Sequence, residues 1–173
     1  MYEGRYPKKR YKRTLSLVKK HLSASEHILD LGVPNPFTEI LKTEGYSVTN
    51  TKGEDLDIDR AALASASYQA VTAFEIMEHL LNPFSVLSEL NASKLFISVP
   101  LKLWFAQAYR SKTDPRDRHY HEFEPWQFRW LLEKSGWIIK EEEQFSHPVK
   151  KFGFRPILRL FTPRYLLIYA ERS

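Results

Sequence analysis

The chain has 173 residues, of which 43% are hydrophobic, 14% aromatic and 27% charged. This length and composition predict one packed domain over residues 1–173 and exclude a collagen-like or disordered chain. The absence of cysteine excludes disulfide bonds, thiolate zinc sites and a cysteine nucleophile. No apolar run is long enough to cross a bilayer and no secretory signal is recognisable, so we expect a cytoplasmic protein without a transmembrane segment.

Positive charge is concentrated at the N-terminus. The net charge is +5, yet residues 1–20 alone carry +7, because they hold eight basic residues and a single acid. An apolar stripe at helical spacing runs through the same region: Tyr11, Leu15, Val18 and Leu22. Residues 1–22 therefore predict a basic N-terminal helix. The basic side chains either form a solvated helix face or allow peripheral membrane contact through residues 5–20.

Short apolar strands and helices alternate along the rest of the chain. We expect strands over residues 27–32, 46–51, 68–74, 95–99, 137–139 and 165–170. We expect helices over residues 36–42 and 59–66, from Pro83 onward, and from Pro125 to Gly136. This alternation predicts an α/β fold with a mainly parallel sheet covered on both faces. Ligands of such sheets bind beyond the carboxyl ends of the strands.

Aromatic and apolar side chains in the predicted helices suggest how these helices pack. On the helix from Pro83, one face carries Phe84, Leu87 and Leu90; on the helix from Pro125, the residues expected to face inward are Phe128, Leu131 and Leu132. We also assign Trp126 and Trp130 to packing, because both lie on one helix face. Three further aromatic residues form either a wall or lid of an apolar pocket or plain packing: Trp104, Phe105 and Tyr109.

Four segments carry a recognisable order of residues: Ile28-Leu29-Asp30-Leu31-Gly32, Ala70 to Pro83, Leu95 to Pro100, and His121 to Trp137. The second segment is the most specific, since Glu78-His79-Leu80 and then Pro83 follow a predicted strand. Together they resemble the class I S-adenosylmethionine-dependent methyltransferases, in particular the small-molecule branch that includes the ubiquinone-biosynthesis methyltransferases. The resemblance implies a Rossmann-like, doubly wound sheet whose last strand is antiparallel.

The sheet is expected to be shorter than that family's. The segment between Thr51 and Tyr68 is too short for a helix, a third strand and another helix. We therefore expect the third strand to be missing or vestigial, with Asp55-Leu56-Asp57 as its remnant. Counted with the missing strand as the third, the predicted strand order is 2-1-4-5-7-6.

The resemblance also implies a cofactor, S-adenosylmethionine, and residues that would hold it: Asp30, Gly32, Asn50, Asp57, Phe74 and Glu75. Asp30 either approaches the cofactor or only caps nearby backbone N–H groups. Glu75 and Glu78 line the pocket or are ordinary loop acids, and His79 is either a base or a residue that fixes the loop.

Residues 100–123 occupy the place of that family's substrate-binding insertion. Within them, His119, His121 and Glu122 are expected to face a small or lipid-like acceptor as catalytic residues. The alternative is a salt-bridged loop. We expect no metal site, because the spacing of these three residues lacks the helical i, i+4 pattern of zinc hydrolases. The aromatic and basic segment from Phe152 to Phe161 has no RNA-binding motif, so we do not expect nucleic acid as a partner.

Two departures from the family leave two functions open. Pro34 and Pro36 stand where glycines are expected, and Asn50 and Thr51 stand where an acid is expected to hold the ribose. One hypothesis is methyl transfer to a small or lipid-like acceptor with an altered cofactor turn. The other is a non-catalytic binding or regulatory protein that has kept the fold and lost the cofactor.

Overall fold

A computed structural model describes residues 8–64, 68–114, 117–146, 158 and 161–173. Its strands are β1 (His27–Asp30), β2 (Ser47–Asn50), β3 (Ala70–Phe74), β4 (Lys94–Pro100), β5 (Trp137–Phe145) and β6 (Tyr165–Arg172). They form one sheet in the order β2-β1-β3-β4-β6-β5. Strands β2, β1, β3 and β4 run parallel, and β6 is antiparallel to both β4 and β5. The predicted strand order and the antiparallel last strand are confirmed.

The helices are α1 (Lys8–His21), α2 (Pro36–Thr43), α3 (Pro83–Glu89) and α4 (Pro125–Lys134). Three of them begin at a proline, because the first turn of a helix does not need that residue's N–H and the ring presets φ. Two short 3₁₀ helices lie at Ala61–Ala64 and Met77–His79, and Leu158 and Phe161 are also helical. None of the helices in the described part of the chain could span a membrane.

Both faces of the sheet are covered, as in a doubly wound fold. Successive side chains of a strand point to opposite faces, so Leu95 and Ile97 of β4 join one apolar cluster and Phe96 joins the other. The first cluster packs against α3 and α4, through Leu87 and Leu132 among others. The second packs against α1 and α2 through Leu17, Val18, Phe37 and Leu41. The carboxyl ends of β1, β2 and β3 remain free for a site.

The third strand of the family is absent from the described residues. After β2 the chain forms turns and the 3₁₀ helix at Ala61–Ala64 before β3 begins. Asp57, in the expected remnant, accepts hydrogen bonds from the backbone N–H groups of Leu81 and Asn82 at 2.7 and 2.8 Å. This segment therefore anchors the loop after β3 rather than extending the sheet.

Phe84, Trp126 and Trp130 do not pack as expected. Phe84 is 46% exposed, because Pro83, Val86 and Leu87 form the buried face of α3. Trp126 and Trp130 are more than half exposed, since Phe128 and Leu132 occupy the inward positions of α4. Trp104, which the sequence leaves open between a pocket wall and plain packing, is 72% exposed. Most of the segment from Phe152 to Phe161 lies outside the described residues.

Candidate functional site

A cleft of about 570 Å³ opens at the carboxyl ends of β1, β2 and β3. Six carboxylate side chains line it: Glu54, Asp55, Asp57, Glu75, Asp114 and Asp117. No lysine or arginine of the described residues joins them. Its apolar wall consists of Val33, Leu56, Ile76, Leu80 and Leu81. The cleft therefore combines apolar surface with an excess of negative charge.

Asp30 lies behind this cleft and connects the strand ends. Its side chain is buried and accepts hydrogen bonds from the Thr72 hydroxyl at 2.7 Å, the Thr38 hydroxyl at 2.7 Å and the Asn50 amide at 2.9 Å. Burial raises the pKa of Asp30, and these three hydrogen bonds partly oppose that rise. The carboxylate thus joins β1 to β2, β3 and α2.

Gly32 forms the turn after β1 with φ of +103°, which side chains rarely tolerate. Its N–H donates to the Thr51 hydroxyl at 2.6 Å, and its carbonyl accepts from the Asn50 amide at 3.2 Å. A Cβ atom here would lie 3.5 Å from Cδ1 of Ile76, on the cleft wall. Asn50, predicted to contact a ribose, instead points inward and holds this turn.

Pro36 has a structural explanation at the start of α2. Asn35 is the N-cap, and its side-chain oxygen accepts from the N–H groups of Phe37 and Thr38 at 2.9 and 3.2 Å. Pro36 occupies the first helical position and has no N–H. This helix start therefore offers no free first-turn N–H group to a ligand carboxylate.

Glu75 follows β3 in a left-handed conformation with φ of +59°, which is rare for a residue with a side chain. Its carboxylate accepts from the Ser98 hydroxyl at 2.8 Å and pairs with the Arg10 guanidinium of α1 at 3.2 Å. Burial raises its pKa, against the opposing charge of Arg10. Glu75 lines the cleft and also anchors α1, whereas Phe74 packs edge-on against Phe37.

Glu78, His79 and His119 form a cluster beside the cleft. A carboxylate oxygen of Glu78 and a ring nitrogen of each histidine all lie within 4.8 Å of one another. The Glu78 side chain is 1% exposed, and its Oε2 atom has no hydrogen-bond partner among the described residues. Burial, together with the nearby Glu75 carboxylate, raises the pKa of Glu78 well above its ordinary value. The sequence leaves Glu78 open between pocket acid and loop acid, because its burial depends on the distant loop that carries His119.

None of the three predicted catalytic residues lines the cleft, and the two histidines have different partners. The His119 ring packs edge-to-face against the His79 ring, with centroids 4.9 Å apart. Burial lowers the pKa of His119 to about 4. His121 instead turns its Nε2 atom toward the Leu81 carbonyl at 3.3 Å and stacks on Phe123. Glu122 is half-buried. Of the predicted cofactor residues, Gly32, Asp57 and Glu75 line the cleft.

Comparison with solved structures decides the fold. A Burkholderia thailandensis 1,6-didemethyltoxoflavin-N1-methyltransferase, with 1,6-didemethyltoxoflavin and S-adenosylhomocysteine bound, has a TM-score of 0.67 and 14% identity over 94% of this chain and 78% of its own. An Archaeoglobus fulgidus S-adenosylmethionine-dependent methyltransferase has a TM-score of 0.66 and 17% identity over 96% of this chain and 95% of its own. This chain has the fold of the class I S-adenosylmethionine-dependent methyltransferases.

A third structural neighbour, the N-terminal domain of EvdMO1 with S-adenosylhomocysteine bound, has a TM-score of 0.57 and 12% identity over 98% of this chain and 82% of its own. No family model and no curated protein matches the sequence. Because all three identities are below 20%, the likeness concerns the methyltransferase fold, and the site has to be argued from this chain's own residues.

Proposed function

We propose that the protein transfers a methyl group from S-adenosylmethionine to a small or lipid-like acceptor. The observation that carries this proposal is the acidic, partly apolar cleft beside the Gly32 turn, at the carboxyl ends of β1, β2 and β3. In open α/β sheets, this is the edge at which ligands bind. The same edge carries Glu75 in a left-handed conformation, a kind of backbone strain that is concentrated at functional sites.

The charge of the cleft suits this cofactor. When bound, S-adenosylmethionine supplies a methyl group on a positively charged sulfonium. The lining holds six carboxylates and no lysine or arginine among the described residues, although Arg10 pairs with Glu75 from outside the lining; this excess of negative charge favours a cationic ligand. The apolar side chains of Leu56, Ile76 and Leu80 would hold the adenine, and Glu54 and Asp55 at the rim would accept hydrogen bonds from the ribose.

Acceptor positioning is assigned to the rim formed by the loop after β3 and by residues 100–123. His79, Asp117 and Tyr120 line the cleft on this side. Exposed apolar side chains at Leu81 and Val33 extend the rim, which suits an acceptor with apolar surface. His119 would be neutral near pH 7 but a weak base, because its pKa is about 4. Positioning and desolvation of the acceptor would therefore contribute more than proton abstraction.

A non-catalytic binding or regulatory role is the second candidate, and one observation favours it. The backbone donors around the turn after β1 already have acceptors within the protein. The Gly32 N–H donates to the Thr51 hydroxyl, and the Asn35 side chain accepts from the first N–H groups of α2. The carboxylate end of a cofactor would have to find other donors. Loss of the cofactor with retention of the fold would explain this closed turn.

Calorimetric titration of the full chain with S-adenosylmethionine and S-adenosylhomocysteine separates the two candidates. We expect saturable one-site binding of both, with dissociation constants on the order of micromolar to millimolar. Adenosine and methionine serve as fragment controls, and we expect adenosine to retain more of the affinity because the α2 end is closed. Absence of heat and of any thermal shift at millimolar ligand would reject methyl transfer and leave the binding role.

A further inference from the structure

The cluster of Glu78, His79 and His119 brings together two imidazoles and one carboxylate from distant parts of the sequence. Glu78 and His79 belong to the 3₁₀ turn after β3, and His119 comes from the loop within residues 100–123. We propose that these three side chains bind a divalent transition-metal ion at the side of the cleft. This set differs from the triad of His119, His121 and Glu122 whose spacing argued against a metal.

Glu78 is buried with an unsatisfied oxygen. Its side chain is 1% exposed, and its Oε2 atom has no hydrogen-bond partner among the described residues, which makes the burial of this polar group costly. A bound cation would reduce that cost, because it would supply the missing partner.

The orientation of His79 suits a metal ligand. Its Nδ1 atom lies 3.0 Å from the Arg118 carbonyl, which can only accept, so Nδ1 donates this hydrogen bond and Nε2 is the nitrogen left for a metal. That Nε2 atom lies 3.8 Å from Oε1 of Glu78. A histidine held by a backbone carbonyl at one nitrogen, with the other facing a carboxylate, has the arrangement of a metal ligand.

The distances within the cluster are close to those that a metal ion requires. Ligand atoms about 2.1 Å from a tetrahedral ion lie roughly 3.4 Å apart. The three groups are within 4.8 Å of one another, so modest side-chain movement would close the site.

Three protein ligands leave at least one coordination position open, as in catalytic rather than structural metal sites. His79 lines the cleft, so that position would face the acceptor side and favour an acceptor that coordinates through oxygen or nitrogen. This last step rests on the proposed methyl transfer. Metal binding itself does not, and it is measured without the cofactor.

The test uses the full chain, stripped of metal by a chelator and then titrated with Co²⁺ by visible absorption and with Zn²⁺ by calorimetry. We expect one ion per chain and a loss of affinity of about tenfold or more in Glu78→Gln and in His119→Ala. The matched control is His121→Ala, two residues along the same loop, whose ring faces the Leu81 carbonyl. We expect this variant to bind as the wild type does.

Absence of binding in the wild type would overturn the proposal, as would an equal loss in His121→Ala or full retention in His119→Ala. Circular dichroism checks the fold of each variant. If Glu78→Gln does not fold, His119→Ala, at a half-buried loop position, decides the question together with the control. Metal binding in a protein that does not bind S-adenosylmethionine would support this site while rejecting methyl transfer.

Discussion

The Asp30 carboxylate joins four elements of the fold, because its partners Thr38, Asn50 and Thr72 belong to α2, β2 and β3. The first residue-scale prediction is that Asp30→Ala lowers the free energy of unfolding by about 2–4 kcal/mol, since it leaves buried donors without an acceptor. Urea denaturation measures this loss. Glu39→Ala, at an exposed position on α2, is the control and should change stability by less than about 1 kcal/mol. Equal stability of the two variants would contradict the prediction.

The raised pKa of Asp30 makes its contribution depend on pH. Because the folded pKa lies above the ordinary value of 3.8, the folded state binds this proton more tightly than the unfolded chain does. The stability that this tighter proton binding contributes is fully present below pH 3.8, the ordinary pKa, and is lost as pH rises through the pKa of Asp30 in the folded state.

We therefore expect the free energy of unfolding of the wild type, minus that of Asp30→Asn, to fall as pH rises from about 4. Chemical denaturation across a pH series measures this difference. Glu75 and Glu78 titrate in both proteins, so their effects cancel to first order. A difference that is flat or rises with pH would mean that burial does not control this carboxyl.

At the scale of elements, α1 is attached to the sheet by ion pairs of unequal burial. Arg10 and Glu75 form a pair with side chains 16% and 19% exposed, and the Arg10 guanidinium also lies over the Tyr165 ring. Arg13 and Glu143 form a pair in which both side chains are 41% exposed. Solvent screening weakens the second pair much more than the first.

We expect Arg10→Met to cost about 1–3 kcal/mol of stability and to speed hydrogen exchange in α1. The matched change on the same helix, Arg13→Met, should cost less than about 1 kcal/mol. Urea denaturation and exchange mass spectrometry measure both effects. A larger loss in Arg13→Met would show that the Glu75 contact does not anchor the helix.

Much of this element pattern could be read from the sequence, for physical reasons. Short apolar runs located the strands, and the short length between Thr51 and Tyr68 predicted that the third strand would be missing or vestigial. Side-chain direction was harder to predict. The Asn50 side chain points inward because its amide donates to both the Asp30 carboxylate and the Gly32 carbonyl. These acceptors belong to β1 and the turn after it, so the sequence around Asn50 does not reveal them.

Long-range contacts also explain why the Glu78 cluster was missed. The sequence places Glu78 next to His79, but it does not show that the loop around His119 lies beside them. In the structure, the Glu78 carbonyl accepts from the N–H groups of Tyr120 and His121 of that loop. The packing prediction for Trp126 and Trp130 was wrong for a related reason. A helix with two apolar faces does not indicate which face meets the sheet.

At the scale of the whole molecule, the basic N-terminal helix is partly neutralised by the protein itself. Arg13 and Lys20 pair with glutamates on β5, and Lys19 pairs with Glu44 after α2. Exposed lysines without an ion pair among the described residues remain at Lys8, Lys9 and Lys12. Peripheral membrane contact through residues 5–20 stays a prediction, and these lysines would carry it at low salt.

The cleft has the opposite charge, so the molecule presents a basic helix and an acidic pocket as separate features. The proposed function requires this pocket, bounded by the Gly32 turn, to bind S-adenosylmethionine.

Two glycines allow a matched test of cofactor binding, since Gly32 and Gly45 have φ of +103° and +93°. An alanine methyl would face Ile76 at the first position and would meet nothing within 4 Å at the second.

The decisive measurement is the calorimetric dissociation constant of S-adenosylmethionine for the wild type, Gly32→Ala and Gly45→Ala. Both substitutions strain the backbone to a similar degree, but only Gly32→Ala adds a methyl group beside the cleft. We predict wild-type affinity in Gly45→Ala and a loss of about tenfold or more in Gly32→Ala. Equal affinities in the two variants, or no binding by the wild type, would contradict the assignment of this cleft to the cofactor.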